Sequence, residues 1–215
     1  MNELTIANQT VLSHIIDIDS LLAHKLRVDG YEVFDYYLEK SSEANQFKSP
    51  INLDNPETGT GYQYVPRSNE TINEFKTYAT NLLNTYLDKT LNISDMWYLY
   101  QTNDSWIDNP KHTHMTANWV CVTYLDVKEN DNIQFYDEDN TMEEYKPSFG
   151  EILFFPGDTY HKPGPNQSKK RLTINLEFTI EYTEEQLQKF TDWIIENKDS
   201  MIGWSVDKMH NEFFS

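Results

Sequence analysis

The stretch Arg171-Leu172-Thr173-Ile174-Asn175-Leu176-Glu177-Phe178-Thr179-Ile180-Glu181 alternates apolar and polar side chains without a break. A strand sends successive side chains to opposite faces, so Leu172, Ile174, Leu176, Phe178 and Ile180 make one row and the polar residues, Arg171 among them, make the other. The same period is visible upstream. Met96–Gln101, Asn118–Leu125, Asn132–Tyr136 and Glu151–Phe155 are short β-rich runs parted by Asn, Asp, Pro and Gly.

Helices are expected on either side of these strands. Thr71 and Glu74 form a capping-box pair ahead of Ile72, Phe75, Ala79, Leu82, Leu83, Tyr86 and Leu87, which recur on one helical face. Thr183 and Gln186 cap a final helix with Leu187, Phe190, Trp193 and Ile194 on its apolar side. Ser20 is a candidate cap for a short helix over Leu21–Leu26. Residues 41–70 read as extended loops with one short strand near Tyr62–Val65, and Trp204, Phe213 and Phe214 suggest that the tail packs. Helices around a run of short strands predict a mainly β protein with flanking helices (α+β), built on a jelly roll.

At 215 residues the chain is expected to form one domain: supporting helices and loops over 1–95, the β core over 96–182, and a helix with its tail over 183–215. Thirty-five acidic residues against seventeen basic ones give a formal charge of −18, which opposes binding to phosphate backbones through a broad basic face. No apolar run approaches the roughly 20 residues that span a bilayer, and the N-terminus lacks signal-peptide character. The lone Cys121 has no internal disulfide partner and fits a reducing compartment. A cytoplasmic setting is expected, or the host cytoplasm if the protein is phage-encoded.

Chemistry concentrates in His112-Thr113-His114, His161, Arg171 and Thr173. Alternate residues of extended backbone point the same way, so His112 and His114 can converge on one point. Neutral imidazole suits iron, zinc, copper and nickel. A jelly roll can bring the distant His161 to them after the turn Phe155-Pro156-Gly157-Asp158. Arg171 shares a strand face with Thr173. If that face lines the barrel mouth, the guanidinium needs an anion, and an acidic small molecule held bidentately fits. If it does not, Arg171 merely continues the basic Lys169-Lys170 run.

Together these residues resemble the iron(II)- and 2-oxoglutarate-dependent oxygenases, over roughly residues 96–181. The family pattern is His-x-Asp/Glu, a distal His, and Arg-x-Ser/Thr; here it reads His112-Thr113-His114, His161 and Arg171-Leu172-Thr173. The runs Trp119–Asp126 and Pro147–Pro156 look like the strands that follow the first pair and lead into the distal histidine. A subgroup frequent in phages and marine bacteria carries His-x-His and is closer still. The resemblance implies a double-stranded β-helix core that binds iron(II) through His112, His114 and His161. It implies 2-oxoglutarate as cosubstrate, gripped by Arg171 and Thr173 with a further hydrogen bond from Tyr98 or Tyr100. It also implies use of O2 to hydroxylate a substrate, with succinate and CO2 as co-products.

One departure stands out: His114 occupies the place of the family's carboxylate. Either three histidines hold the ion, or one of the pair does so with Asp108 or Asp126 completing the set. Two other functions remain open. A cupin-like metal enzyme without 2-oxoglutarate would also use His-x-His and a distal His, although its usual glutamate is missing from Met115–Trp119. A metal-free jelly-roll binding module is the other. Trp97, Trp106 and Trp119 are candidate pocket walls. The substrate is not legible, beyond a mild preference for a protein or small metabolite over nucleic acid.

Overall fold

The computed structural model describes residues 1–17, 21–43, 62–102, 111–128, 131–164, 170–181 and 184–197, and leaves aside the side chains of 37–43, 62, 102 and 186–187. Ser20, Trp106, Asp108, Thr183 and the tail from 198 onward lie outside the described residues, as does most of the 41–70 loop. The chain divides into two compact units, Met1–Thr179 and Ile180–Ser215.

Ten strands are described in two antiparallel sheets. They are β1 (Asn2–Ile6), β2 (Gln9–Ile15), β3 (Tyr62–Tyr64), β4 (Leu91–Thr102), β5 (Trp119–Asp126), β6 (Ile133–Tyr136), β7 (Met142–Tyr145), β8 (Glu151–Pro156), β9 (Tyr160–Pro163) and β10 (Lys170–Ile180). The larger sheet runs β1-β2-β8-β5-β10-β4-β3 and the smaller β7-β6-β9. This is the expected jelly roll, with β10 at the heart of the larger sheet.

The alternation in β10 decides what lies on each side of that sheet. Leu172, Ile174, Leu176 and Phe178 are all fully buried. Their face lies towards the helices α1 (Leu22–Glu43) and α2 (Glu70–Leu87), which contact β5 and β4 respectively. Each such side chain contributes about 1.5–3 kcal/mol through burial. The opposite face meets the smaller sheet: Val120, Val122, Tyr124, Leu153 and Phe155 cluster with Ile133 and Phe135. Phe135 and Phe155 meet edge to face at 5.3 Å.

Several local expectations shift. The first fifteen residues are not helix and loop but the hairpin β1–β2, which extends the larger sheet. Its tight turn places Ala7 and Asn8 at φ 49° and 58°. That is the left-handed pair a two-residue hairpin needs, but without the glycine that usually signals it. The first helix runs to Glu43 rather than stopping near Leu26, burying Leu22, Leu26, Gly30, Val33 and Phe34 along one stripe. Gly30 interrupts the apolar pattern because a Cβ there would lie 2.9 Å from Leu172 Cδ2. The cap of α2 is Asn69, whose side chain accepts from the Ile72 amide at 2.9 Å, so Thr71 lies inside the helix rather than capping it.

The second unit contributes α3 (Glu184–Asn197), with Glu184 and Glu185 in its first turn and a Glu185–Lys189 ion pair of 2.7 Å. Among the described residues no helix is long and apolar enough to cross a membrane.

Candidate metal centre

Backbone pairing brings the three histidines together. The His112 amide donates to the His161 carbonyl at 2.9 Å and the reciprocal bond measures 3.0 Å, forming a bridge between a loop and β9. His114 donates its amide to the Gly157 carbonyl at 2.7 Å, while Gly157 donates to Asn118 at 3.0 Å. Gly157 is needed for this approach: a Cβ there would lie 1.9 Å from the Ala117 carbonyl oxygen. The result is one candidate ligand atom from each of His112, His114 and His161, all within 4.8 Å of one another. Ring centroids are 4.6 to 5.2 Å apart.

Two rings are oriented from behind. His161 Nδ1 lies 2.9 Å from the Thr159 carbonyl, which can only accept, so that nitrogen carries the proton and Nε2 is left with its lone pair. His114 Nδ1 lies 2.6 Å from Glu177 Oε1 and donates to it by the same logic, again leaving Nε2 for an ion. The Trp97 ring stacks on His114 at 5.8 Å. Burial drives His161 well below its ordinary pKa of 6.5, with the neighbouring His112 and His114 adding to the fall and the Thr159 carbonyl opposing it. Three converging imidazole nitrogens, one of them on the buried His161, form a donor set that suits a divalent transition metal.

Beside the rings lies a cavity of about 90 Å³, bounded by Arg171, Thr173, Gln101, Tyr124 and the three histidines among others. Arg171 is 2% exposed. It donates from Nε to Gln101 Oε1 at 2.6 Å, from Nη1 to the Asn132 carbonyl at 3.1 Å and from Nη2 to the Gly164 carbonyl at 3.2 Å. All three acceptors are neutral. Burial accordingly lowers the guanidinium pKa, while Tyr124 and Asp131 oppose that fall. Gln101 Nε2 is buried with no hydrogen-bond partner among the described residues. Leaving such a donor unsatisfied costs about 1–3 kcal/mol, which a bound acceptor would recover.

Tyr98 and Tyr100 do not reach this cavity, contrary to the sequence expectation. They share one face of β4, but it is the face towards α1. The Tyr98 hydroxyl donates its one proton to Asp29 Oδ2 at 2.8 Å, with the Leu26 carbonyl also near it at 3.1 Å, and the Tyr100 ring packs on Phe34 at 4.1 Å. The cavity instead receives Trp97, Leu99 and Gln101 from β4, and its tyrosine is Tyr124 on β5. Asp126 is also turned away, accepting from Tyr31 at 2.5 Å. Trp97 lines the cavity as anticipated. Trp119 belongs to the other parity of β5 from Val120, Val122 and Tyr124 and is not a wall. Sequence reasoning missed Glu177, although it continues the Arg171-Thr173-Asn175 row and that period was the signal for it.

No known family profile matches the sequence. Among curated proteins, the chain is similar to Mediator of RNA polymerase II transcription subunit 27 of Schizosaccharomyces pombe, at 24% identity over 176 residues. The matched region covers 76% of this chain and 62% of that protein, so the chain spans less than two thirds of that relative. Among solved structures it is similar to the non-heme α-ketoglutarate-dependent carbocyclase SnoK from nogalamycin biosynthesis, with TM-score 0.63, 11% identity and 80% of each chain covered. It is similar to a Pseudomonas putida prolyl-4-hydroxylase, with TM-score 0.54, 14% identity, 82% of this chain and 95% of that one. A Trichoplax adhaerens prolyl hydroxylase solved with a peptide fragment of hypoxia inducible factor gives TM-score 0.51 at 12% identity, over 75% of this chain and 88% of that one. The fold is therefore the jelly roll of the iron(II)- and 2-oxoglutarate-dependent oxygenases.

Proposed function

We propose that this chain is an iron(II)- and 2-oxoglutarate-dependent oxygenase that hydroxylates a protein or small-metabolite substrate. One observation carries the reading: three imidazoles converge within 4.8 Å at a cavity that also receives a buried arginine whose hydrogen bonds go to neutral acceptors. Iron with 2-oxoglutarate and O2 would supply the oxidising power for a C–H bond, with succinate and CO2 as co-products.

The chain's own residues bind and orient. His112, His114 and His161 would hold the iron through three imidazole nitrogens. A guanidinium has five N–H groups. Three of Arg171's are taken by Gln101, Asn132 and Gly164, one on each nitrogen, so one remains on each terminal nitrogen. That pair is what a carboxylate accepts side by side. Gln101, Thr173 and Tyr124 line the same cavity, and the buried, unpartnered Gln101 Nε2 can add a donor to the same carboxylate. Val120, Val122 and Leu99 line the space beside it and keep it apolar, which strengthens each of these charge-assisted bonds.

The test is spectroscopic. Anaerobic addition of iron(II) and then 2-oxoglutarate is expected to produce a visible metal-to-ligand charge-transfer band. A cupin-like enzyme that does not use 2-oxoglutarate would bind the iron and show no such band. A protein that binds neither iron nor 2-oxoglutarate would be the jelly-roll module without chemistry.

A further inference from the structure

The family pattern places a carboxylate where this chain has His114, which removes a negative charge from the metal. The structure shows a carboxylate one step further out. Glu177, on the polar row of β10, holds His114 Nδ1 at 2.6 Å, and both side chains are largely shielded, at 14% and 15% exposure. His161 rests on a neutral carbonyl instead. The two rings thus differ in what stands behind them.

We propose that Glu177 is a positioning residue of the metal centre, restoring through the His114 imidazole the negative charge that a direct carboxylate ligand would bring. This rests on the metal-centre reading above. A carboxylate accepting from the far side of an imidazole fixes which nitrogen faces the ion and makes that nitrogen a stronger electron donor. The bond is short and most of it is out of water, so the charge is weakly screened. Glu177 and Arg171 come from the same face of one strand. β10 therefore supplies the support of the metal at one end and the anion grip at the other.

The two roles of Glu177, orientation and charge, separate with two variants. Glu177→Gln keeps an oxygen able to accept from Nδ1 but removes the charge; Glu177→Ala removes both. Manganese(II) affinity is measured by titration on purified metal-free protein, together with the reduction potential of the iron-loaded form and the melting temperature of the metal-free form. Expected results are a 10- to 100-fold loss of metal affinity in Glu177→Ala, a smaller loss in Glu177→Gln, and a raised iron potential in both.

A Glu177→Gln protein with wild-type affinity and potential would overturn the proposal. So would a change confined to the melting temperature, which marks an ordinary structural pair, and so would a metal-bound crystal with a Glu177 oxygen on the ion. His161→Ala serves as the reference. If it loses the metal while the Glu177 variants behave as wild type, only this inference fails. If it too keeps wild-type metal content, the metal-centre reading fails and this inference falls with it.

Discussion

His112 and His161 are locked to each other by a reciprocal pair of backbone hydrogen bonds, 2.9 and 3.0 Å long, so two rings of the candidate centre are positioned by main chain before any ion arrives. Preorganisation of this kind reduces the ordering that metal binding must otherwise impose. Replacing a ring should therefore cost metal and not fold. His161→Ala is expected to abolish stoichiometric iron or manganese binding, read by metal analysis after gel filtration, while the metal-free protein keeps its circular dichroism spectrum. Retention of a full equivalent of metal would refute the assignment.

Arg171 tests the anion site. Charge-assisted hydrogen bonds contribute about 1.5–3 kcal/mol each, so losing two of them in Arg171→Ala should weaken 2-oxoglutarate binding by roughly 100-fold or more with metal affinity unchanged. Arg171→Lys keeps the charge but not the two-pronged geometry, and should fall between alanine and wild type. Calorimetric titration of the manganese-loaded protein measures both. Equal affinity in all three forms would place the cosubstrate elsewhere.

Gly157 links turn geometry to the centre. Its alanine variant drives a Cβ against the Ala117 carbonyl, and overpacking of this kind costs about 1–3 kcal/mol. Because His114 hangs on the Gly157 carbonyl, the variant should lose metal affinity as well as thermal stability. Calorimetric unfolding with and without manganese separates the two effects, and a variant that melts and binds like wild type would show that the turn relaxes freely.

The buried His161 makes the metal-free fold sensitive to acid. Burial, joined by His112 and His114, depresses its folded-state pKa below the 6.5 of an exposed ring. Between those two values the unfolded chain binds the extra proton, so stability is intact above pH 6.5 and declines as pH falls towards the folded value. Urea midpoints of the metal-free protein from pH 7.5 to 5 should decline accordingly. His161→Gln should flatten part of that slope, and an unchanged slope would move the effect to other groups.

Cys121 gives a control independent of the centre. It is fully buried, and burial pushes its thiol up to about 12 despite a contact with the Thr123 hydroxyl. A thiolate-selective reagent should leave the native protein unmodified and label it in denaturant. Rapid labelling without denaturant would mean that β5 opens readily.

The core strands were legible because their period is strict: β10 shows both its rows in the sequence, and β5 and β8 are nearly continuous apolar runs. Alternation also put His112 with His114 and Arg171 with Thr173, whereas His161, 47 residues beyond His114, could be joined to them only through the jelly-roll fold, and the period left open whether Arg171 is buried. Other features depended on information a period does not carry. Alternation places Tyr98 and Tyr100 together but cannot say which face of β4 looks inward, and the Tyr98 hydroxyl's contacts with Asp29 and Leu26 settle it towards the helix. The β1–β2 turn lacks a glycine, and Gly30 breaks a helix pattern that tertiary contact with Leu172 requires.

The two-sided character of β10 also constrains how the protein can change. Inserting one residue between Ile174 and Asn175, where β10 pairs with β5 in unbroken register, would rotate the rest of the strand by a half-period, sending Leu176 and Phe178 towards the histidines and Asn175 and Glu177 into the hydrophobic interior. The candidate site and the core are thus inherited as a single unit. Substitutions can retune this strand one position at a time, whereas a lengthening or shortening by a single codon would forfeit both at once.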